Sequence, residues 1–153
     1  MKYHPIGVGE IELTTIILDL NGTLAVHGKL VSGVTERITK LKEMGFKLYL
    51  FTGDQRGNAS QLAAELGIEV KKATTSDEKQ ALTEKLDVQK TVAIGNARID
   101  IGTFLPCKLR IGTMQAEGIH TGILSHIDIL VPSITDALDL LLNENTFNAT
   151  LRK

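Results

Sequence analysis

Three apolar runs in this chain each break off into a short polar turn. Ile16-Ile17-Leu18 runs into Asp19-Leu20-Asn21-Gly22, Leu48 to Phe51 into Thr52-Gly53-Asp54, and Val92-Ala93-Ile94 into Gly95-Asn96-Ala97-Arg98-Ile99-Asp100. Runs this short, bounded by turn residues, read as buried strands, and strands buried on both faces need helices above and below the sheet. The intervening segments supply them. Val34, Ile38, Leu41 and Met44 recur at helical spacing and stop at Gly45, residues 56–66 close at Gly67, Ser76 reads as the N-cap of a helix running to Leu86, and residues 133–142 are amphipathic. Further strands are expected at 68–70, 109–111 and 127–131, with a short helix to about Leu105 stopped by Pro106. Strands alternating with helices specify an α/β fold with a mainly parallel sheet and right-handed crossovers. The ends of the first, second and fourth strands should then meet in one crevice, at the carboxyl edge where open α/β sheets bind ligands.

Two smaller features frame that crevice. Residues 3–13 suggest a hairpin or edge strand, and His27-Gly28 between Ala25-Val26 and Lys29-Leu30-Val31 reads as a small hairpin projecting beyond the sheet, able to cover a site.

The 153 residues suffice for one sizeable core, so a single domain over 1–153 is expected. A formal net charge of -1 offers no electrostatic reason for a nucleic-acid or anionic-membrane partner. Met1-Lys2-Tyr3-His4-Pro5 lacks the apolar stretch of a signal peptide, and no run approaches the roughly 20 apolar residues of a membrane span, so the expected location is the cytoplasm. The lone Cys107 sits in an apolar run and reads as an inert core thiol. The four histidines are scattered, without zinc-ligand spacing.

Within the crevice each residue type has a task in phosphoryl transfer, and most also have a plainer role. Asp19 can attack phosphorus and form an aspartyl phosphate, or be a solvated strand end before an ordinary Asn-Gly turn. Thr52 and the nearby backbone can hold phosphoryl oxygens at a helix N-terminus, or Thr52 can simply cap that helix. With Ser76 as N-cap, Lys79 falls at the third helical position, where a capping box prefers Glu or Gln and the dipole disfavours a cation. That placement speaks for a functional role, although an exposed lysine with no partner is the commoner finding at such a position. Asp19 with Asp100 could supply the carboxylates that magnesium takes alongside water and phosphate, although Asp100 also suits the first turn of a helix.

With these segments in place, the chain resembles the haloacid dehalogenase superfamily of phosphohydrolases over nearly its whole length. Asp19-Leu20-Asn21-Gly22-Thr23 is similar to its first motif, Thr52 to the second, Lys79 to the third, and Gly95 to Asp100 to the fourth. Within the superfamily it looks most like the small soluble P-type ATPase-like proteins, through Asn-Gly-Thr, Thr52-Gly53-Asp54 and the closing Ala149-Thr150-Leu151-Arg152. The resemblance implies a three-layer Rossmannoid sheet, a Mg2+ ion, an aspartyl phosphate on Asp19, metal ligation by the Asn21 carbonyl, and Lys79 steadying the charge on Asp19. Phosphate contacts fall to Thr52, Gly53 and Lys79, and metal contacts to Asp19, Asn21 and Asp100.

Two departures from the family pattern stand out. Asn21 occupies the place of a second aspartate that moves protons, and an amide cannot do so at neutral pH. Asn96, Ala97 and Ile99 replace the usual more polar set of the fourth motif, which implies weaker metal binding. No room exists between Asp19 and Thr52, or between Thr52 and Lys79, for a cap domain, so the site should be open, with a second subunit at the flap hairpin as a possible lid. His27 could replace the missing proton shuttle or be a solvated turn residue. Two readings follow: a slow Mg2+-dependent phosphohydrolase acting on a phosphorylated substrate, or a regulatory module that keeps the phosphate and metal pocket without turnover.

Overall fold

The computed structural model describes residues 1–153 and begins with an antiparallel ribbon of β1 (Lys2–Tyr3) and β2 (Ile11–Glu12). The main sheet has six strands: β3 (Thr15–Leu18), β6 (Lys47–Thr52), β7 (Glu69–Lys72), β8 (Thr91–Gly95), β9 (Leu109–Thr113) and β10 (Ile129–Val131). Their order is β10-β9-β8-β3-β6-β7, and every pairing is parallel. The remaining pair, β4 (Ala25–Val26) and β5 (Lys29–Leu30), is the expected flap hairpin. Its turn residues His27 and Gly28 have φ of 50° and 83°, as a two-residue turn with both φ values positive requires.

Helices pack on both faces, giving three layers. On one face lie α1 (Val34–Glu43), α2 (Ala59–Leu66), α5 (Ile134–Leu142) and α6 (Glu144–Leu151), against Ile16, Leu18, Leu48, Leu50, Val92 and Ile94. On the other, Ile17, Tyr49, Phe51 and Ala93 pack with Phe104 of α4 (Ile101–Phe104) and with the partly buried Leu82 of α3 (Ser76–Thr83). Neighbouring residues of one strand thus belong to opposite layers, which is why these strands read as continuous apolar runs.

The core strands and the α1, α2 and α5 segments are those expected, with shifted ends. α2 starts at Ala59, because residues 54–58 make a turn first, and α3 stops at Thr83 rather than Leu86. α6 was not expected. Its sequence, ENTFNATL, has few strong helix formers. Asn143 caps it by accepting from the Thr146 amide at 3.0 Å, and Phe147 stacks on Tyr3 with ring centroids 3.8 Å apart. Tertiary packing, not propensity, makes this helix.

Between β3 and β6 there is only the flap and α1, and between β6 and β7 only α2, so neither interval carries a cap. No helix is long and apolar enough to cross a membrane.

Candidate active site

β3 lies between β6 and β8, with Leu18 paired to Leu50 on one side and Ile94 on the other. The three chains therefore leave the sheet side by side. Asp19 is held at that edge by its own amide, which donates to the Ile94 carbonyl at 3.0 Å. A cavity of about 160 Å³ opens there, with Asp19, Asn21, Thr52, Gly53 and Lys79 in its wall. All the residues assigned to phosphate contact, and two of the three assigned to metal, are thus together at one opening.

Lys79 occupies the floor and is 1% exposed. Its ammonium donates to Asp19 Oδ1 at 2.9 Å and to Asp100 Oδ1 at 2.6 Å. The exposed-lysine alternative is therefore wrong, and so is the helix frame used to argue against it. The N-cap of α3 is Thr75, not Ser76; its hydroxyl accepts from the Glu78 amide at 3.1 Å, while the Glu78 carboxylate accepts from the Thr75 amide at 3.3 Å. Glu78 completes a proper capping box, and Lys79 is the next residue, turned inward. The N-terminus of α3 reaches the site because Gly102 of α4 lies against it. A Cβ there would overlap the Ser76 carbonyl.

Asp100 is 2% exposed, and its second oxygen accepts from the amides of Asn96 and Ala97, each at 2.9 Å. It closes the turn after β8 over Gly95, where a Cβ would collide with the Asp100 carboxylate. Asp19 and Asp100 with Lys79 leave the buried floor one negative charge in excess. Burial, then repulsion from Asp100, pushes the Asp19 carboxyl up to about 6 against the opposing pull of Lys79. Burial works to lower the Lys79 ammonium, but the two carboxylates outweigh it and hold it above its ordinary value.

Thr52 is 1% exposed, and its hydroxyl accepts from the Asp54 amide at 3.1 Å. It does not cap α2: the Asp54 carboxylate takes the Ala59 amide at 2.9 Å, and Asn58 precedes the helix. Asn96 is turned away from the floor. Its side-chain oxygen accepts from the Thr23 hydroxyl at 3.2 Å and its amide donates to the Gly118 carbonyl at 2.8 Å, which clasps three loops.

Beside Asn21, the rim contains residues that no sequence motif singled out. Arg56 donates to Asn21 Oδ1 at 2.6 Å and to Glu117 Oε1 at 3.0 Å. The other Glu117 oxygen accepts from the amides of Gly22 at 3.1 Å and His27 at 3.0 Å. Burial acts to raise the Glu117 carboxyl, but the Arg56 bond and the two amides outweigh it and hold it below the usual range. Gln115 donates to the Gly22 carbonyl at 3.1 Å and to the Thr23 carbonyl, and accepts from the Ile134 amide at 3.0 Å. Residues 115–118 thus strap the flap and the first-motif turn to the sheet. The His27 side chain is outside this network and exposed. The sequence distance of 61 residues between Arg56 and Glu117 explains why no local pattern revealed the pair.

Comparison with known proteins bears on this arrangement. The family model of the haloacid dehalogenase-like hydrolases matches residues 7–105, well over half of the chain. A soluble P-type ATPase-like phosphatase of Methanocaldococcus jannaschii is 25% identical over 123 residues, which is 77% of this chain and 45% of that protein. The chain therefore spans just under half the length of that relative. Among solved structures, the cobalt-bound deoxy-D-mannose-octulosonate 8-phosphate phosphatase of Haemophilus influenzae aligns with a TM-score of 0.72 at 13% identity, covering 93% of this chain and 94% of its own. The 3-deoxy-D-manno-octulosonate 8-phosphate phosphatase of Moraxella catarrhalis, in complex with magnesium, phosphate and KDO, aligns with a TM-score of 0.70 at 18% identity, covering 90% of both. At these identities the likeness is one of fold.

Proposed function

The chain belongs to the haloacid dehalogenase-like hydrolases, and we propose that it is a divalent-cation-dependent phosphohydrolase working through an aspartyl phosphate on Asp19. One observation carries this reading: a buried lysine bridges two buried carboxylates at the floor of an open polar cavity. Burying three ionised groups is costly unless each is compensated, and a structural core would use apolar residues there. Chemistry that brings a phosphoryl dianion and a cation into the cavity gives all three a use.

A magnesium ion suits the donor set. Asp19 and Asp100 already converge on one cation and retain an excess negative charge, and magnesium takes one or two carboxylates plus water and phosphate. Asp19, Asp100 and the backbone of Asn21 would hold it. When bound, it supplies charge neutralisation to the transferring phosphoryl group. Asn96, committed to Thr23 and Gly118, is outside that set.

In the first step an Asp19 oxygen bonds to phosphorus, and the ester bond breaks with its electron pair going to the leaving oxygen, which takes a proton from water. Lys79 holds the attacking carboxylate ionised and in place. Thr52 and the Gly53 backbone receive the phosphoryl oxygens. In the second step water attacks phosphorus, the Asp19–phosphorus bond breaks, and inorganic phosphate leaves. Asn21 can take no proton from that water, so the second step is slow and the phosphoenzyme accumulates. The absence of a cap leaves the cavity open to a phosphorylated substrate that is a small molecule or part of a larger one.

The test is phosphate release from acetyl phosphate, with and without Mg2+, by wild type and Asp19→Asn. Turnover that needs both supports the enzyme. Phosphorylation without release supports the second reading, a module switched by phosphorylation, which the amide at position 21 favours. Equal activity in the variant contradicts both.

A further inference from the structure

Asn21 lines the phosphate cavity, and its side chain has two different ends: an oxygen that accepts and an N–H2 that donates. The guanidinium of Arg56 is donor-only, and it sits 2.6 Å from Asn21 Oδ1. That contact settles which end of the amide faces the rim. The Asn21 N–H2 makes no hydrogen bond to any protein group, whereas the oxygen is committed. Arg56 is in turn fixed by Glu117 Oε1 at 3.0 Å, and Glu117 by the Gly22 and His27 amides on either side of β4. Four groups from four separate turns and loops thus define the orientation of one amide.

We infer that Arg56 is a positioning residue: braced by Glu117, it turns the Asn21 amide so that its N–H2 is presented to the oxygens of a bound phosphoryl group, the leaving oxygen included. Asn21 then acts as a hydrogen-bond donor that stabilises charge on the leaving oxygen without surrendering a proton. The bond made is O–phosphorus from Asp19, the bond broken is phosphorus–O of the ester, and the proton that neutralises the departing alkoxide comes from water. This rests on the proposed phosphoryl-transfer function. It also narrows the substrate class. A donor at the leaving oxygen matters little for acyl phosphates, whose leaving group is a stable carboxylate, and much for alkyl phosphate monoesters, whose leaving group is a strong base.

The test uses the full chain, labelled with 15N and saturated with Mg2+, titrated with inorganic phosphate while the Asn21 side-chain amide and the Gly53 backbone amide are followed by NMR. The expected result is that both move in wild type. In Arg56→Ala the Gly53 response persists while the Asn21 response falls at least twofold, with Arg56→Lys between them. With a phenyl-free alkyl phosphate, Arg56→Ala slows phosphorylation about tenfold, a partial version of removing an oxyanion donor. Its effect with acetyl phosphate stays under about twofold, and adding Arg56→Ala to Asn21→Ala costs nothing further, because one acts through the other. If Gly53 moves but the Asn21 amide does not, or moves equally in Arg56→Ala, the positioning role is overturned while the phosphate site stands. If neither group responds to phosphate, the functional reading itself fails, and the inference with it.

Discussion

The floor of the cavity and its rim are built on opposite principles. The floor, Asp19 with Lys79 and Asp100, is buried, and each member follows a strand end or opens a helix. The rim, Asn21 with Arg56 and Glu117, is half-exposed and comes from three loops, one of them 61 residues from the next along the chain. Charges in the floor face a low dielectric, so each loss leaves an uncompensated neighbour, whereas water substitutes for much of what the rim provides. Chemistry should therefore fail outright with the floor and change in kind with the rim.

Lys79→Met puts that contrast under the greatest strain. It leaves Asp19 and Asp100 facing each other in the floor, and a loss of about 3–5 kcal/mol is expected in denaturant unfolding without metal. Part of that loss should return on adding Mg2+, which binds the same carboxylates. A destabilisation below about 1 kcal/mol would erase the distinction between floor and rim.

Asn21→Asp sharpens the comparison from the rim side. It restores a group that can take a proton from the attacking water, and phosphoenzyme decay should speed by about 10²-fold, within the range of general-base catalysis. Arg56 would pair with the new carboxylate and keep it ionised. Decay that is unchanged or slower would mean that release is limited elsewhere.

The contrast also explains what could be read in the sequence. The floor was legible because Asp19, Thr52 and Asp100 each follow an apolar run, and register then aligns them. Lys79 was singled out by a faulty route: Thr75 rather than Ser76 caps α3, so Lys79 was never at the capping-box position, and its place in the floor has another origin. What drew it inward was the close packing at Gly102, a tertiary fact. Arg56 and Glu117 carry no periodicity or motif, and an arginine next to a glycine in a loop reads as solvated. α6 was hidden for the same reason, since its stability comes from tertiary packing such as the Tyr3–Phe147 stack rather than from helix propensity.

Smaller effects test the strap. Glu117→Gln keeps the shape but drops the charge that holds Arg56 and the two flap amides. Hydrogen exchange at His27, whose amide bonds only Glu117, should accelerate about tenfold, a cost of about 1.4 kcal/mol and near the low end for a hydrogen bond to a charged group, while Gly22, whose amide also donates to the Ala25 carbonyl at 2.8 Å, changes less, with little change in global stability. Acceleration spread evenly over the sheet would show instead that the flap is not an independent unit.

Cys107 gives the smallest expected effect and serves as the reference for the opposite face. It is 6% exposed, and burial pushes its thiol up to about 12. Alkylating reagents at pH 8 should leave it unmodified in the folded chain. The unfolded thiol ionises near its ordinary value and the folded one does not, so Cys107 lowers stability as pH rises from about 9 towards 12. Rapid modification at pH 8 would place that layer in exchange with solvent.

The most direct test of the account is to find where a phosphoryl group becomes attached. The chain is incubated with acetyl phosphate and Mg2+, quenched, reduced with borohydride to mark any acyl phosphate, and mapped by mass spectrometry. The account predicts a single mark on Asp19, absent without Mg2+ and absent in Asp19→Asn. A mark on another residue, or turnover that continues in Asp19→Asn, would contradict it.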